Sequence, residues 1–215
     1  MNIKNRWAYL CGKLWAYNVD GSYDILSHHY NEDHRHYHTF GHILYCLRLM
    51  DGLVEKTSMS SKQSLELELA IWFHDVIYDP RSSDNEQDSV SVFKSVLSSL
   101  KTKTFISEEK VSSLILRTKT HVPDNMCQSD YPNYLNDIDL AILGDSDTVF
   151  DEYENNIREE YSWVPPEMFA EKRKEILEGF LNRDRIYHTS FFKDRNDIAK
   201  NNIQRSLEKL NADEK

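Results

Sequence analysis

Glycine and proline are scarce in this chain: six and five in 215 residues, about one residue in twenty where average usage is roughly 12%. A fold built from many short strands needs turn residues that are not present, so an all-β plan is excluded and long helices are favoured. Positive charge is also in deficit. Lysine and arginine total 26 against 36 acidic residues, a formal charge of −10, and no basic stripe is available to neutralise a phosphate backbone. General nucleic-acid binding is not expected. Long apolar runs are missing as well: tracts such as 70–73 and 76–78 fall far below the roughly 20 residues of a membrane span. The first twenty residues are interrupted by Lys4, Arg6, Lys13 and Asn18, which is unlike a signal peptide. Cysteine is limited to Cys11, Cys46 and Cys127, an odd number without C-x-x-C spacing, which read as reduced thiols. The expectation is a soluble cytoplasmic protein with no membrane partner.

What is present is enough apolar material, 40% of residues, for one domain with a real core. Its spacing is helical. Trp7, Leu10, Leu14 and Tyr17 fall three or four apart on one face, and a second helix covers about 23–29. From about Tyr37 to Val54 apolar residues lie on two sides, which predicts a central helix. Ser60 and Gln63 have the form of a capping box opening a helix that runs through Leu65, Leu67, Leu69 and AIWFHDVIY. Further helices are expected over 85–100, from 107 to about 121, over 134–143 with a stop at Gly144, over 147–161, from Pro166 to about 181, and from about 194, fraying into NADEK. Segment 122–131, with Pro123, Asp124 and Asn125, reads as a loop. No linker or repeat divides the chain, so the expectation is one all-α domain over 1–215.

Six of the nine histidines fall between His28 and His42. His28 and His29 read as helix-surface residues, and His34 and His36 as exposed loop imidazoles. His38 and His42 differ, because i,i+4 spacing on a helix places them on one face. The strongest signal is WFHDVIYD, since an ionised Asp75 in an apolar helix costs several kcal/mol unless something compensates it. Two readings stand: a His74–Asp75 pair satisfied by arginine or backbone groups, or a metal site. Asp139, in NDIDLAILG, also sits among apolar neighbours, although alone it could be a helix cap. Together His42, His74, Asp75 and Asp139 offer two imidazoles and two carboxylates, a set suited to a divalent transition metal with open positions.

The order His42, then His74-Asp75, then Asp139 resembles the H…HD…D signature of the HD superfamily of metal-dependent phosphohydrolases. YHTFGHI, AIWFHDVIYDP, DNEQDSV, LILRTKTH, DIDLAILG, YENNIREEY and RKEILEGFLNRDRIY resemble in order a predicted HD phosphohydrolase subfamily, covering about residues 37–187. The resemblance implies an all-α HD-type bundle whose four residues hold one divalent ion (Mn, Mg, Fe, Co, Ni or Zn), and hydrolysis of a small anionic phosphate ester, often a nucleotide, by metal-activated water. It places His38 where relatives keep an acid for the leaving oxygen, with helix capping as the alternative. Asp79 matches the second acid of an HDxxED segment, in which Tyr78 replaces the first. Glu86 is a candidate general base or partner of the metal-bound water, or simply a favourable acid in a helix first turn. Arg81, Lys119 and His121 are candidates for binding substrate, while Arg158, Arg173 and Arg117 read mainly as surface or structural cations, Arg158 with Glu159 and Glu160 as partners. A hydrolase and a non-catalytic metal- or nucleotide-binding regulatory module both fit this pattern.

Overall fold

The computed structural model describes residues 1–124 and 129–212. Among them are ten α-helices and no strand, so the all-α class is observed. No described helix is long and apolar enough to cross a membrane. Contacts gather into two compact units, residues 1–122 and 123–215. Cys11 and Cys46 are buried free thiols, and burial pushes the Cys11 thiol up to about 12. Cys127, Asn125 and the terminal DEK lie outside the described residues.

The first unit holds α1 (Ile3–Lys13), α2 (Val19–Tyr30), α3 (Phe40–Lys56), α4 (Ser61–Phe73), α5 (Asn85–Leu100) and α6 (Glu108–Arg117). Helix α4 is its centre: α3, α5 and α6 all pack on it, and nine consecutive residues from Leu65 to Phe73 are buried. A helix enclosed on every side needs no polar face, which is why the sequence shows apolar residues without a clean period there. The capping box forms as expected, with the Gln63 amide donating to Ser60 Oγ at 3.2 Å and the Ser60 amide donating to Gln63 Oε1 at 3.0 Å. Trp7 of α1 meets Trp72 and Phe73 edge-on, with centroids 5.1 and 5.9 Å away.

Three expectations need correcting here. Helix α1 ends at Lys13 because Trp15 adopts a left-handed backbone, φ 52°, so Tyr17 leaves the buried face and is exposed. Helix α3 buries one face only, through Ile43, Cys46, Leu47, Met50 and Leu53; Tyr45 and Leu49 are half-buried, and the central position belongs to α4. Helix α3 also begins after His38: Thr39 is its N-cap, with its side chain accepting from the Gly41 amide. His38 is neither a helical residue nor the cap.

In the second unit, a 3-10 turn at Tyr131–Asn133 leads into α7 (Tyr134–Asp139) and a second 3-10 turn, Leu140–Gly144. Then follow α8 (Asp147–Glu160), α9 (Pro166–Leu181), a 3-10 turn at Lys193–Arg195, and α10 (Asn196–Ala212). Between 131 and 144 every residue is buried except Asp139. Gly144 closes this stretch because the chain passes too close for a side chain: a Cβ would lie 2.8 Å from the Tyr187 hydroxyl and 2.9 Å from the Arg195 carbonyl. Arg158 donates to the carbonyls of Tyr161 (2.6 Å) and Val164 (3.0 Å), which staple the end of α8; these carbonyls, rather than the expected Glu159 and Glu160, are its hydrogen-bond acceptors. Arg173 of α9 pairs with Glu154 and donates to the Tyr153 hydroxyl at 2.9 Å.

His188 supplies a pH-dependent element of this unit. Its Nε2 is buried with no hydrogen-bond partner among the described residues, and burial first, then Arg183 and Arg185, hold its pKa below the ordinary 6.5. The unfolded chain therefore takes up the proton at a higher pH than the folded one. The stability contributed by neutral His188 is present above pH 6.5 and is lost as pH falls through the depressed folded value. Denaturant titrations of the metal-free protein between pH 5 and pH 8 should show stability declining on the acid side, by about the range in which histidines titrate, and less steeply in His188→Gln. An identical pH slope in the variant would refute this assignment.

Candidate metal centre

His42 occupies the first turn of α3 and is 4% exposed, while His74 caps the end of α4 at 1%. Asp75 follows immediately, where the chain leaves the helix. This construction brings one atom from each together: His42 Nε2 lies 3.1 Å from His74 Nε2 and 3.5 Å from Asp75 Oδ2, and the latter two are 3.1 Å apart. The His74 Nδ1–H donates to the Ile71 carbonyl at 2.9 Å, because a carbonyl can only accept. In the neutral ring, Nε2 then carries a lone pair directed at the cluster.

The donor set fits a divalent ion on two grounds. Lone pairs on nitrogen and carboxylate oxygen repel one another at this separation unless a cation or proton lies among them. Donors bound at about 2.1 Å to one ion stand about 3.0–3.4 Å apart for angles from square to tetrahedral, and the observed spacings fall in or beside that interval. His42, His74 and Asp75 are thus a His/Asp cluster that could hold a metal, with Cys46 Sγ 3.6 Å from His42 Nε2 one turn along α3.

No family model, curated protein or solved structure matches the chain.

His38 lies beside the cluster. Its ring centroid is 6.0 Å from that of His42, and Tyr78 stacks on it at 3.9 Å with 24° between planes. Tyr78, which stands where an acid occurs in the HDxxED pattern, serves as an aromatic support. Asp79 is exposed and folds back on its own turn, with Oδ1 accepting from the Arg81 amide at 2.9 Å and its carbonyl accepting from Asn85 Nδ2 at 2.9 Å. Arg81 is exposed in that turn. Glu86 and Lys119, expected in separate roles, meet each other: Lys119 Nζ is 3.8 Å from Glu86 Oε2 and donates to the Ser83 carbonyl. His121 is half-buried just beyond α6 in a left-handed conformation, φ 50°. Of the four loop and surface histidines, His28, His34 and His36 are exposed as expected, His34 with its Nε2 2.7 Å from the Tyr78 carbonyl, whereas His29 is half-buried with its Nδ1 3.3 Å from Glu32.

The two aspartates of NDIDLAILG separate sharply. Asp137 is fully buried and accepts from the amides of His188 (3.0 Å) and Thr189 (2.7 Å) and from Thr189 Oγ1 (2.7 Å). Burial raises its pKa against the pull of those donors. It is a structural acceptor, whereas Asp139 is the residue of its segment that reaches beyond the core.

Proposed function

We propose that this protein is a metal-dependent phosphohydrolase acting on a small phosphate ester, with nucleotides the first class to consider. The observation that carries the reading is the convergence of His42 Nε2, His74 Nε2 and Asp75 Oδ2 within 3.1–3.5 Å, combined with the sequence resemblance to the HD superfamily. His42, His74 and Asp75 hold the ion, and the HD resemblance assigns the fourth donor's place to Asp139. When bound, a divalent ion there supplies an activated water as nucleophile and neutralises charge on the phosphoryl group.

The remaining work falls to the chain's own groups. His38, held by Tyr78 beside the ligands, protonates the leaving oxygen. Glu86 and Lys119, already paired, line the start of α5 as a neutral couple, and Asp79 holds the turn that carries Arg81. The ligand set of nitrogen and oxygen suits Mn, Fe, Co, Ni or Zn, with Mg the hard-ion alternative.

The test is hydrolysis of a panel of nucleotides and simple phosphate mono- and diesters, read as orthophosphate from monoesters and as the monoester and alcohol products from diesters, after loading the purified protein with each of these metals and removing the excess. Turnover of at least one ester that chelation abolishes and metal restores is the expected result. A protein that holds metal but hydrolyses none of the esters, by any product, would be the regulatory module instead.

A further inference from the structure

His38 and Asp75 both stand outside helices, in the connections between α2 and α3 and after α4, where backbone carbonyls have no helical partners. One side chain gathers these carbonyls. Arg35 has a fully buried side chain; its Nη1 donates to the His38 carbonyl at 3.0 Å and to the Asp75 carbonyl at 2.7 Å, and Nη2 donates to the Val76 carbonyl at 3.0 Å. Its Nε donates to Glu32 Oε2 at 2.9 Å, so a carboxylate balances the buried charge. The rings of Tyr30 and Tyr78 lie 5.3 and 5.7 Å from the guanidinium carbon, and Tyr78 is the ring stacked on His38.

We propose that Arg35 is the positioning residue of the metal centre, fixing the proton donor His38 relative to the ligand Asp75 through a single nitrogen that bonds both backbones. This inference rests on the metal reading above and names the device that orders that site. Burying a guanidinium carries a desolvation penalty that apolar packing would avoid. What the fork provides in return is several directed donors in one plane, which a lysine ammonium cannot reproduce. The His34 contact to the Tyr78 carbonyl ties the same two segments a second time.

Titration with Co²⁺ tests this, since its visible absorption reports both affinity and ligand arrangement. Wild type, Arg35→Lys, Arg35→Ala and Glu32→Gln are compared, with circular dichroism of each metal-free protein recorded alongside. Arg35→Lys should keep its helix content, bind Co²⁺ about 10–100-fold more weakly, as loss of groups supporting metal ligands does, and show a shifted spectrum; added guanidinium ion should partly restore Arg35→Ala. Glu32→Gln, which leaves the fork in place and weakens only its anchor, should lose less in the same direction. Wild-type affinity and spectrum in both Arg35 variants would overturn the positioning role while leaving the metal site standing. If both Arg35 variants fail to fold, unchanged affinity in Glu32→Gln overturns it. Absence of any Co²⁺ binding by wild type overturns the metal reading itself, and this inference with it.

Discussion

Asp75→Ala should empty the metal centre and abolish hydrolysis while leaving the helices intact. Asp75 is the only carboxylate that closes on both histidines in the first unit, at 3.1 and 3.5 Å, and it supplies the negative charge that two neutral imidazoles cannot. Without it, the remaining donors hold a divalent ion with one charge fewer. Several kcal/mol of charge stabilisation on the phosphoryl group go with the ion, and each 1.36 kcal/mol is a factor of ten, so activity should fall by about a thousandfold or more. The check is metal content by elemental analysis after loading and gel filtration, together with phosphate release. Metal content equal to wild type in the variant would eliminate the site. Two neighbours in sequence serve as controls with opposite outcomes. Asp139→Ala should also lose metal, since the HD resemblance gives that position the fourth ligand. Asp137→Ala should retain metal but lose stability, because the amides of His188 and Thr189 lose their buried acceptor.

That contrast shows where sequence reasoning stops. Helix existence was legible because its signals are local: the capping box at Ser60 and Gln63, and the three-to-four-residue spacing of Trp7, Leu10 and Leu14 in α1. The His74-Asp75 pair was legible for a physical reason, since an unpaired carboxylate in an apolar run demands a partner. The resemblance singled out Asp139, but the structural role of Asp137 was not legible, because its donors arrive some fifty residues later with His188 and Thr189. The helical placement of His38 was mistaken by two residues, since Thr39 caps α3 and Phe40 begins it, although the rings of His38 and His42 still lie near each other. The role of Arg35 was not legible because two of the carbonyls it gathers, those of Asp75 and Val76, lie 40 and 41 residues away in the chain. A cation between His34 and His36, three residues before His38, was the available signal. Within the alternating LELELA of α4, Glu66 and Glu68 are both buried, and nothing local names their partners. Glu66 is explained by the α6 cap, where its Oε1 accepts the Ser107 amide at 3.0 Å, a contact 41 residues away in the chain.

Glu68 is the harder case, and it makes Arg6→Ala the substitution expected to harm stability most. The Glu68 side chain is 0% exposed and is met by Arg6 Nε at 2.7 Å and Lys13 Nζ at 3.0 Å. Arg6 turns its other two nitrogens to Asp51 at 2.9 and 2.8 Å, so one guanidinium joins α1, α3 and α4. Burial works against its charge, but Asp51 and Glu68 more than offset this and hold the guanidinium firmly protonated. Removing one partner of a buried pair strands the other, a loss of about 3–5 kcal/mol. Because Lys13 remains, the lower end applies, about 3 kcal/mol, or roughly 6–12 °C in melting temperature for a chain of this size. Arg6→Met combined with Glu68→Leu removes both charges and fills the space with apolar groups, and it should be less damaging than Arg6→Ala alone. Urea titrations followed by circular dichroism measure both; a single variant within 1 kcal/mol of wild type, or a double variant worse than the single, would refute the account. The same network bears on the metal centre, since α3 carries His42 and α4 ends in His74. Loosening Arg6 should therefore weaken metal binding as well as the fold, whereas Arg35→Lys should weaken the metal and spare the fold.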